Sequence, residues 1–181
     1  MCERVKRSDP IWLPRYVGRV YRSSLQHREL ANVFSGDAVL VPVPGSARTG
    51  DRPWGALRLA VALSEVGFAL PVWIGLRRLY AVTKSATASG SARPSVQQHY
   101  ESFAVMHAVR PTRSILLIDD VVTKGRTLLA AAARLSSVSM RLEISAFVLI
   151  RTQGFVDRLD HLTEPCLGVI RWAGGDARRE P

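Results

Sequence analysis

The pattern of apolar and polar positions predicts a buried strand followed by a helix near the middle of the chain. The run Ile115-Leu116-Leu117-Ile118 has no helical periodicity, so it predicts a strand covered on both faces, as in a parallel sheet. Leu128, Ala132 and Leu135 follow at helical spacing. Residues 119–127 therefore lie where open α/β sheets bind ligands, outside the carboxyl end of a strand.

Apolar runs and helical spacing predict further elements on both sides of this segment. The predicted elements are strands at 39–44, 68–76, 103–105, 142–150 and 165–172, a turn at 110–112, and helices at 14–34 and 54–66. The strand at 142–150 is expected to be buried, and residues 173–181 to form a polar tail. The inward positions of the second helix are Leu57, Ala60, Val61 and Leu63, and Gly67 ends it. Alternating strands and helices predict an α/β fold with a mainly parallel central sheet flanked by helices.

Length and composition predict one domain. The 181 residues, of which 47% are hydrophobic and 22% charged, suffice for one well-buried core and are few for two. We expect a basic helical segment at 1–35, a core at 36–152, and a C-terminal strand and tail at 153–181. Two cysteines without metal-ligand or redox spacing indicate a reducing compartment. Without a signal-peptide core or an unbroken apolar span, a cytoplasmic protein with no membrane contact is expected.

The charge is strongly positive and unevenly distributed. The formal net charge is +10, and residues 1–28 hold seven basic and two acidic side chains. Such a charge suits an anionic substrate, a nucleic acid or an acidic surface, and its sign does not choose among them. The predicted N-terminal helix has two interpretations: a docking helix with a solvated basic face, or a contact for a nucleic acid or a protein partner.

The residues at 119–127 combine an anion site with hydrogen-bond acceptors for a sugar. Backbone N–H groups from Thr123 to Thr127, at the start of a helix, form a cradle for a phosphate. Gly125 allows a backbone conformation that a side chain would obstruct, and the two threonine hydroxyls can donate to phosphate oxygens. Asp119 and Asp120 come just before this cradle, and carboxylates accept hydrogen bonds from a vicinal diol. A ribose 5-phosphate meets both demands.

Two other interpretations of this segment are weaker. A hydrophobic strand that ends in two aspartates also suggests a metal-dependent phosphohydrolase or an ATPase, but this interpretation requires a phosphate-binding loop upstream. The candidate at 45–52 has Asp51 in place of the lysine and Arg52 in place of the serine or threonine. Capping of the helix by the acids would explain one carboxylate, but not two followed by Thr-x-Gly-x-Thr.

The segment Ile115–Thr127 resembles the 5-phosphoribosyl-1-pyrophosphate (PRPP) signature of type I phosphoribosyltransferases. The resemblance implies that Asp119 and Asp120 hold the ribose hydroxyls. It also implies that the PRPP site continues through the residues that follow: Val121, Val122, Thr123, Lys124, Gly125, Arg126 and Thr127. Val-Pro-Val-Pro at 41–44 resembles ComF-type, amidophosphoribosyltransferase-like members in particular. In this family the loop after the first core strand contacts pyrophosphate, which implies such a role for Pro44, Gly45, Ser46, Ala47 and Arg48, with Arg48 or Arg52 supplying charge.

The resemblance also implies a mobile loop that closes over PRPP and carries basic residues. Residues 77–102 are rich in Ser, Ala, Thr and Gln and lie where that loop belongs. The candidates are Arg93 first, then Lys84, then Arg77, so the implied catalytic residues are Asp119, Asp120 and Arg93. Arg151, at a strand end, is a candidate for contact with the second substrate. The cysteine-rich zinc module of many ComF-type proteins is missing from this sequence.

The family implies a type I phosphoribosyltransferase-like fold with a small variable hood. The implied function is Mg²⁺-dependent transfer of the phosphoribosyl group from PRPP to a nitrogen acceptor, with release of pyrophosphate. The metal is expected to be held by substrate oxygens and water and not directly by the protein. A homodimer is the common assembly for soluble proteins. The alternative is a non-catalytic PRPP or nucleotide sensor that acts through a nucleic acid or a protein partner.

Overall fold

A computed structural model describes residues 12–50, 53–83, 93–106, 114–138, 141–152 and 164–180. The helices are α1 (Trp12–Ser24), α2 (Arg28–Val33), α3 (Gly55–Leu63), which continues into a π-helical turn at Ser64–Phe68, α4 (Val96–Ser102) and α5 (Arg126–Ser136). The strands are β1 (Val39–Pro42), β2 (Leu76–Arg78), β3 (Phe103–Val105), β4 (Ser114–Val122), β5 (Glu143–Arg151), β6 (Val169–Ala173) and β7 (Asp176–Glu180).

A three-stranded parallel sheet in the order β1-β4-β5 forms the centre of the fold. Val41 pairs with Leu117, and Leu117 with Ala146. Two antiparallel pairs, β2 with β3 and β6 with β7, accompany this sheet. The predicted α/β architecture with a parallel sheet flanked by helices is confirmed, and β4 is its central strand.

Both faces of β4 are covered, as its unbroken apolar sequence predicts. Ile115 and Leu117 pack in a cluster that includes Leu128, Ala131 and Leu135 of α5. Leu116 and Ile118 pack in a second cluster, with Val17 of α1 and Leu59 and Leu63 of α3. Successive side chains of a strand point to opposite faces, so β4 joins two cores. The same alternation separates the two aspartates that follow.

The predicted N-terminal helix is wrong as one continuous element, and one predicted strand is wrong. The chain leaves the helix after Ser24 and re-enters it at Arg28, and Leu25, expected on the apolar face, is 71% exposed. The expected strand at 68–76 is reduced to one parallel bridge between Val72 and Leu40. The π-helical turn runs to Phe68, the next residue has a left-handed φ of 54°, and Pro71 has no N–H to donate.

Three further expectations were wrong because the tertiary context differs from the local pattern. Val61 in α3 is exposed, whereas Ala60 and Leu63 are buried as predicted. β5 is the edge strand of the parallel sheet among the described residues and is only partly buried. The expected polar tail instead forms β7, and the strand before it runs from Val169 to Ala173. A strand partner can order a segment that lacks any apolar pattern of its own.

The predicted mobile loop is ordered at both of its described ends. Its first residues belong to β2, and its last belong to α4, which begins with a capping box between Ser95 and Gln98. Residues 84–92, which include Lys84, lie outside the described residues, as do the predicted turn at 110–112 and Arg52. No helix among the described residues is long and apolar enough to cross a membrane.

Candidate functional site

A cleft of about 80 Å³ opens where β4 leads into α5. Its lining combines a strand end, the loop before α5 and one residue from just before α4: Arg93, Asp119, Val121, Val122, Thr123, Lys124, Gly125, Arg126, Thr127 and Leu128. The structure therefore brings Arg93 to the same cleft as the candidate phosphate loop, Thr123–Thr127. In the sequence, Arg93 lies 30 residues before Thr123.

Gly125 gives the loop its shape. Its φ of 86° is left-handed, and it is the N-cap residue of α5. A Cβ at this position would lie 2.6 Å from Cδ1 of Ile170, so the β6–β7 hairpin packs directly on the glycine. The first intrahelical bond runs from Leu129 N–H to the Gly125 carbonyl at 2.9 Å, which leaves the preceding N–H groups without helical acceptors. The loop thus has the donor arrangement that binds anions.

The two aspartates face different surroundings. Asp119 lines the cleft, and its carboxylate accepts the backbone N–H of Asp120 at 2.9 Å. Asp120 lies near the start of α3 instead, where a Cβ built on Gly55 would be 3.4 Å from its Oδ2. A helix N-terminus favours such a carboxylate. The structure therefore brings Asp119, but not Asp120, to the lining of the cleft.

The two loop cations are already paired with a carboxylate that the sequence pattern did not reveal. Asp176 of β7 accepts Arg126 Nε at 2.5 Å and Nη2 at 2.6 Å, and it accepts Lys124 Nζ at 3.2 Å. The hydrogen bonds from Arg126 hold the pKa of Asp176 well below its usual range, and the same contact raises the pKa of Arg126. The sequence pattern predicts a polar tail at 173–181, so it does not indicate a role for Asp176, which begins β7.

Arg126 also connects the loop before α5 to the segment before α4. Its Nη1 donates to the carbonyls of Arg93 at 3.3 Å and Pro94 at 3.1 Å. This contact holds the backbone of Arg93 beside the loop, which explains why Arg93 reaches the cleft. The predicted role of Arg126 as a phosphate ligand competes with these two sets of contacts.

The candidate pyrophosphate loop at Pro44–Arg48 is held by a buried arginine, Arg78, which is 1% exposed. Arg78 donates through Nε to the Gly45 carbonyl and through Nη2 to the Pro44 carbonyl at 3.3 Å. Its Nη1 donates to Ser102 Oγ, and its guanidinium lies 4.2 Å from the centre of the Phe103 ring. Arg77, the neighbour considered from the sequence, is exposed on β2. Nothing in the sequence marks Arg78 except its position next to Arg77, which places it on the opposite face of a strand.

A buried histidine joins this arginine to the phosphate loop. His99, 3% exposed, has Nδ1 3.4 Å from Arg78 Nη2 and Nε2 3.4 Å from Thr127 Oγ1. Burial, and then the positive charges of Arg78 and Arg126, lower the pKa of His99 to about 4. Burial lowers the pKa of Arg78 to about 10, against the opposing effect of Asp119 and Tyr80. At neutral pH the histidine is therefore neutral and the arginine charged.

The remaining candidates lie outside the lining of the cleft. Arg48 is exposed in its loop. Arg151, at the end of β5, pairs with Val122, which does line the cleft. Within the described ranges, no three His, Cys, Asp or Glu side chains are grouped so as to hold a metal ion.

Comparison with known proteins found no match to any protein-family model and none among the curated proteins. The features of this chain that bear on function are therefore the motif at 115–127 and the geometry of the cleft. The decisive arrangement is a carboxylate at a strand end beside the anion-binding start of a helix.

Proposed function

We propose that this protein binds PRPP and transfers its phosphoribosyl group to a nitrogen acceptor, in a type I phosphoribosyltransferase-like fold. The observation that supports this most directly is the shared cleft of Asp119 and the loop Thr123–Thr127. A sugar phosphate needs hydrogen-bond acceptors for its hydroxyls and donors for its phosphate, and the cleft offers both within one small space.

The loop before α5 binds the 5-phosphate in this proposal. The N–H groups at the start of α5 and the hydroxyls of Thr123 and Thr127 donate to its oxygens. Asp119 accepts hydrogen bonds from the ribose. Asp120, at the start of α3, contributes less to ribose binding than Asp119. Arg93 lies at the same cleft and supplies positive charge beside the substrate.

The leaving pyrophosphate is held by the amides of the loop Pro44–Arg48. Mg²⁺, bound by substrate oxygens and water, would neutralise part of its charge, as hard oxygen ligands suit that ion. The nitrogen lone pair forms a bond to ribose C1 while the bond from C1 to pyrophosphate breaks, and the electron pair leaves with pyrophosphate. A proton then passes from the nitrogen to solvent. The protein contributes positioning, charge and exclusion of water, and no protein nucleophile is needed.

Isothermal titration with PRPP and Mg²⁺ tests the proposal. We expect micromolar binding by the wild type and a roughly 10- to 100-fold loss in Asp119→Asn, since hydrogen bonds to a charged acceptor are lost. Asp120→Asn is expected to lose less. Asp37→Asn makes the same chemical change just before β1, at the amino end of the parallel strands and away from the cleft, and should bind like the wild type. A folded wild-type protein that does not bind PRPP would refute the proposal.

Release of pyrophosphate distinguishes an enzyme from a sensor. The wild type is mixed with PRPP, Mg²⁺ and a panel of ammonia, amines and nucleobases, and pyrophosphate is measured for each. Acceptor-dependent release supports transfer. Binding without release by any acceptor would favour the second candidate function, a non-catalytic PRPP sensor that acts through a nucleic acid.

One observation favours that second candidate. Helix α1 carries Arg15, Arg19 and Arg22 exposed at spacings that share one face, while Val17 is buried on the other side. Such a row can contact successive phosphates. In fluorescence anisotropy with labelled DNA and RNA, neutralising all three to Gln should reduce the slope of log affinity against log salt by roughly 3. Changing all three to Lys, the matched control, should preserve the slope. Equal slopes in the Gln variant and the wild type would exclude this surface.

A further inference from the structure

Three consecutive carbonyls of the loop after β1 accept hydrogen bonds from Arg78 and Val82. Pro44 and Gly45 accept from the Arg78 guanidinium, and Ser46 accepts the N–H of Val82 at 2.8 Å. In a trans peptide unit the C=O and the following N–H point in opposite directions. The N–H groups of Gly45, Ser46 and Ala47 are therefore directed away from these donors. These three N–H groups are thus left on the side of the loop away from Arg78 and Val82, where each can donate to an anion.

Arg78 determines the direction in which the Pro44 and Gly45 carbonyls point. A guanidinium has five N–H donors and no acceptor, so both loop carbonyls must turn toward it. It is buried against Ser102 and Phe103, which fixes the plane of the fork. A lysine ammonium is a point donor and cannot reproduce a planar fork that reaches two carbonyls and a histidine.

His99 connects Arg78 to the loop before α5. Because Arg78 only donates, Nδ1 of His99 must accept, and the neutral ring then carries its proton on Nε2. Nε2–H donates to Thr127 Oγ1. Thr127 Oγ1 accepts this bond, so its hydroxyl proton is not used by His99 and can be donated to an anion bound in the loop before α5.

We propose that Arg78 is a positioning residue that orients the donors of both anion-binding loops, directly at Pro44–Ala47 and through His99 at Thr127. The inference rests on the proposed function and deepens it, since it assigns the orientation of the two phosphate sites to one buried side chain. Arg78 itself contacts neither phosphate.

Separate titrations with pyrophosphate and with ribose 5-phosphate, both with Mg²⁺, test this assignment in the full chain. Arg78→Lys is expected to weaken both ligands at least tenfold. His99→Phe leaves Arg78 on the loop carbonyls, so it should weaken ribose 5-phosphate roughly fivefold, the loss of one hydrogen bond. Its affinity for pyrophosphate should stay within twofold of the wild type. In ¹⁵N–¹H spectra, pyrophosphate should shift the Gly45 and Ser46 amides of the wild type and His99→Phe, but not of Arg78→Lys.

A double-mutant cycle separates orientation from a general structural effect. Thr127→Val removes the hydroxyl that His99 is proposed to orient, and Thr127→Ser keeps it. The variant that combines His99→Phe with Thr127→Val should bind ribose 5-phosphate no more weakly than Thr127→Val alone. Thr127→Ser, which keeps the hydroxyl, should bind ribose 5-phosphate more tightly than Thr127→Val. Additive losses in the cycle would overturn the assignment, and this holds even if Arg78→Lys does not fold.

The outcomes distinguish this inference from the proposed function. Wild-type protein that binds neither PRPP nor its two parts would overturn both. Wild-type protein that binds PRPP, together with Arg78→Lys and His99→Phe variants of unchanged affinity, would overturn the role of Arg78 alone. If Arg78→Lys weakens the binding of both pyrophosphate and ribose 5-phosphate, and His99→Phe weakens only ribose 5-phosphate, the proposed function and the role of Arg78 are both supported.

Discussion

The two loops proposed to bind anions obtain their geometry in different ways. In the loop Thr123–Thr127 the left-handed glycine and the start of α5 are contiguous in the chain, so the donor arrangement is local. In the loop Pro44–Arg48 the carbonyls are turned by Arg78, more than 30 residues further along. The shape of the first loop is therefore specified by neighbouring residues. The orientation of the carbonyls in the second loop depends on the packing of β2 beside it.

The charge at both loops depends on residues that are distant in the chain. The cations of the phosphate loop, Lys124 and Arg126, are neutralised by Asp176 from the distant β7. In the loop Pro44–Arg48, the carbonyls of Pro44 and Gly45 face the positive charge of Arg78, which is buried from solvent. A local motif thus supplies shape, while the net charge at each loop depends on distant segments. Three perturbations test this comparison.

The largest expected effect is on the pH dependence of stability through His99, which links the two loops. Its folded pKa is about 4 against an ordinary 6.5, so between these values the unfolded chain takes up a proton that the folded protein does not. The free energy of unfolding should therefore fall as the pH falls through this window, by up to about 3 kcal/mol. Urea unfolding at successive pH values measures it.

His99→Phe is the control for this titration, because it removes the ionisable ring and keeps an aromatic side chain. The wild type should lose stability relative to the variant as the pH falls from 6.5 to 4. The carboxylate of Asp176, whose pKa is held below 3.8, contributes its own loss below this window. Parallel curves for the two proteins would mean that His99 is not held neutral by the fold.

The second effect concerns the local loop alone. Gly125→Ala places a side chain at a φ of 86° and against Ile170, and we expect a loss of about 2 kcal/mol with loss of ribose 5-phosphate binding. Gly36→Ala is the matched control, since its φ is 79° and nothing lies within 4 Å of the added Cβ. The control should lose about 1 kcal/mol and keep the affinity. Equal losses in chemical denaturation would show that contact with the hairpin is unimportant.

The smallest effect is the release of the loop cations from the hairpin. Asp176→Asn removes the charge paired with Lys124 and Arg126, so we expect ribose 5-phosphate to bind roughly fivefold more tightly at low salt. Stability should fall by about 1 kcal/mol, because the lost pair is partly exposed. Glu180→Gln, in the same hairpin but paired with Arg171 and Arg178, is the control and should change neither quantity. Unchanged or weaker binding in Asp176→Asn would show that the cations do not face the anion.

Much of the framework could be predicted from the sequence because its signals are local. The covered strand β4, the helix after it and the glycine between them are each specified by neighbouring residues, and all three were found at the expected positions. The ends of helices and strands that depend on packing against other segments could not be predicted from local patterns. The break after Ser24 and the reduction of 68–76 to one bridge at Val72 depend on what lies beside those segments.

The sequence by itself determined the parallel α/β framework and the shape of the anion loop before α5, because periodicity and backbone preference act over a few residues. Only the tertiary structure decided which side chains share the cleft. It placed Asp119 in the cleft and Asp120 beside Gly55, paired Lys124 and Arg126 with Asp176, and buried Arg78 behind the loop after β1. These are contacts between residues far apart in the chain, and no local pattern encodes the partner of a buried charge.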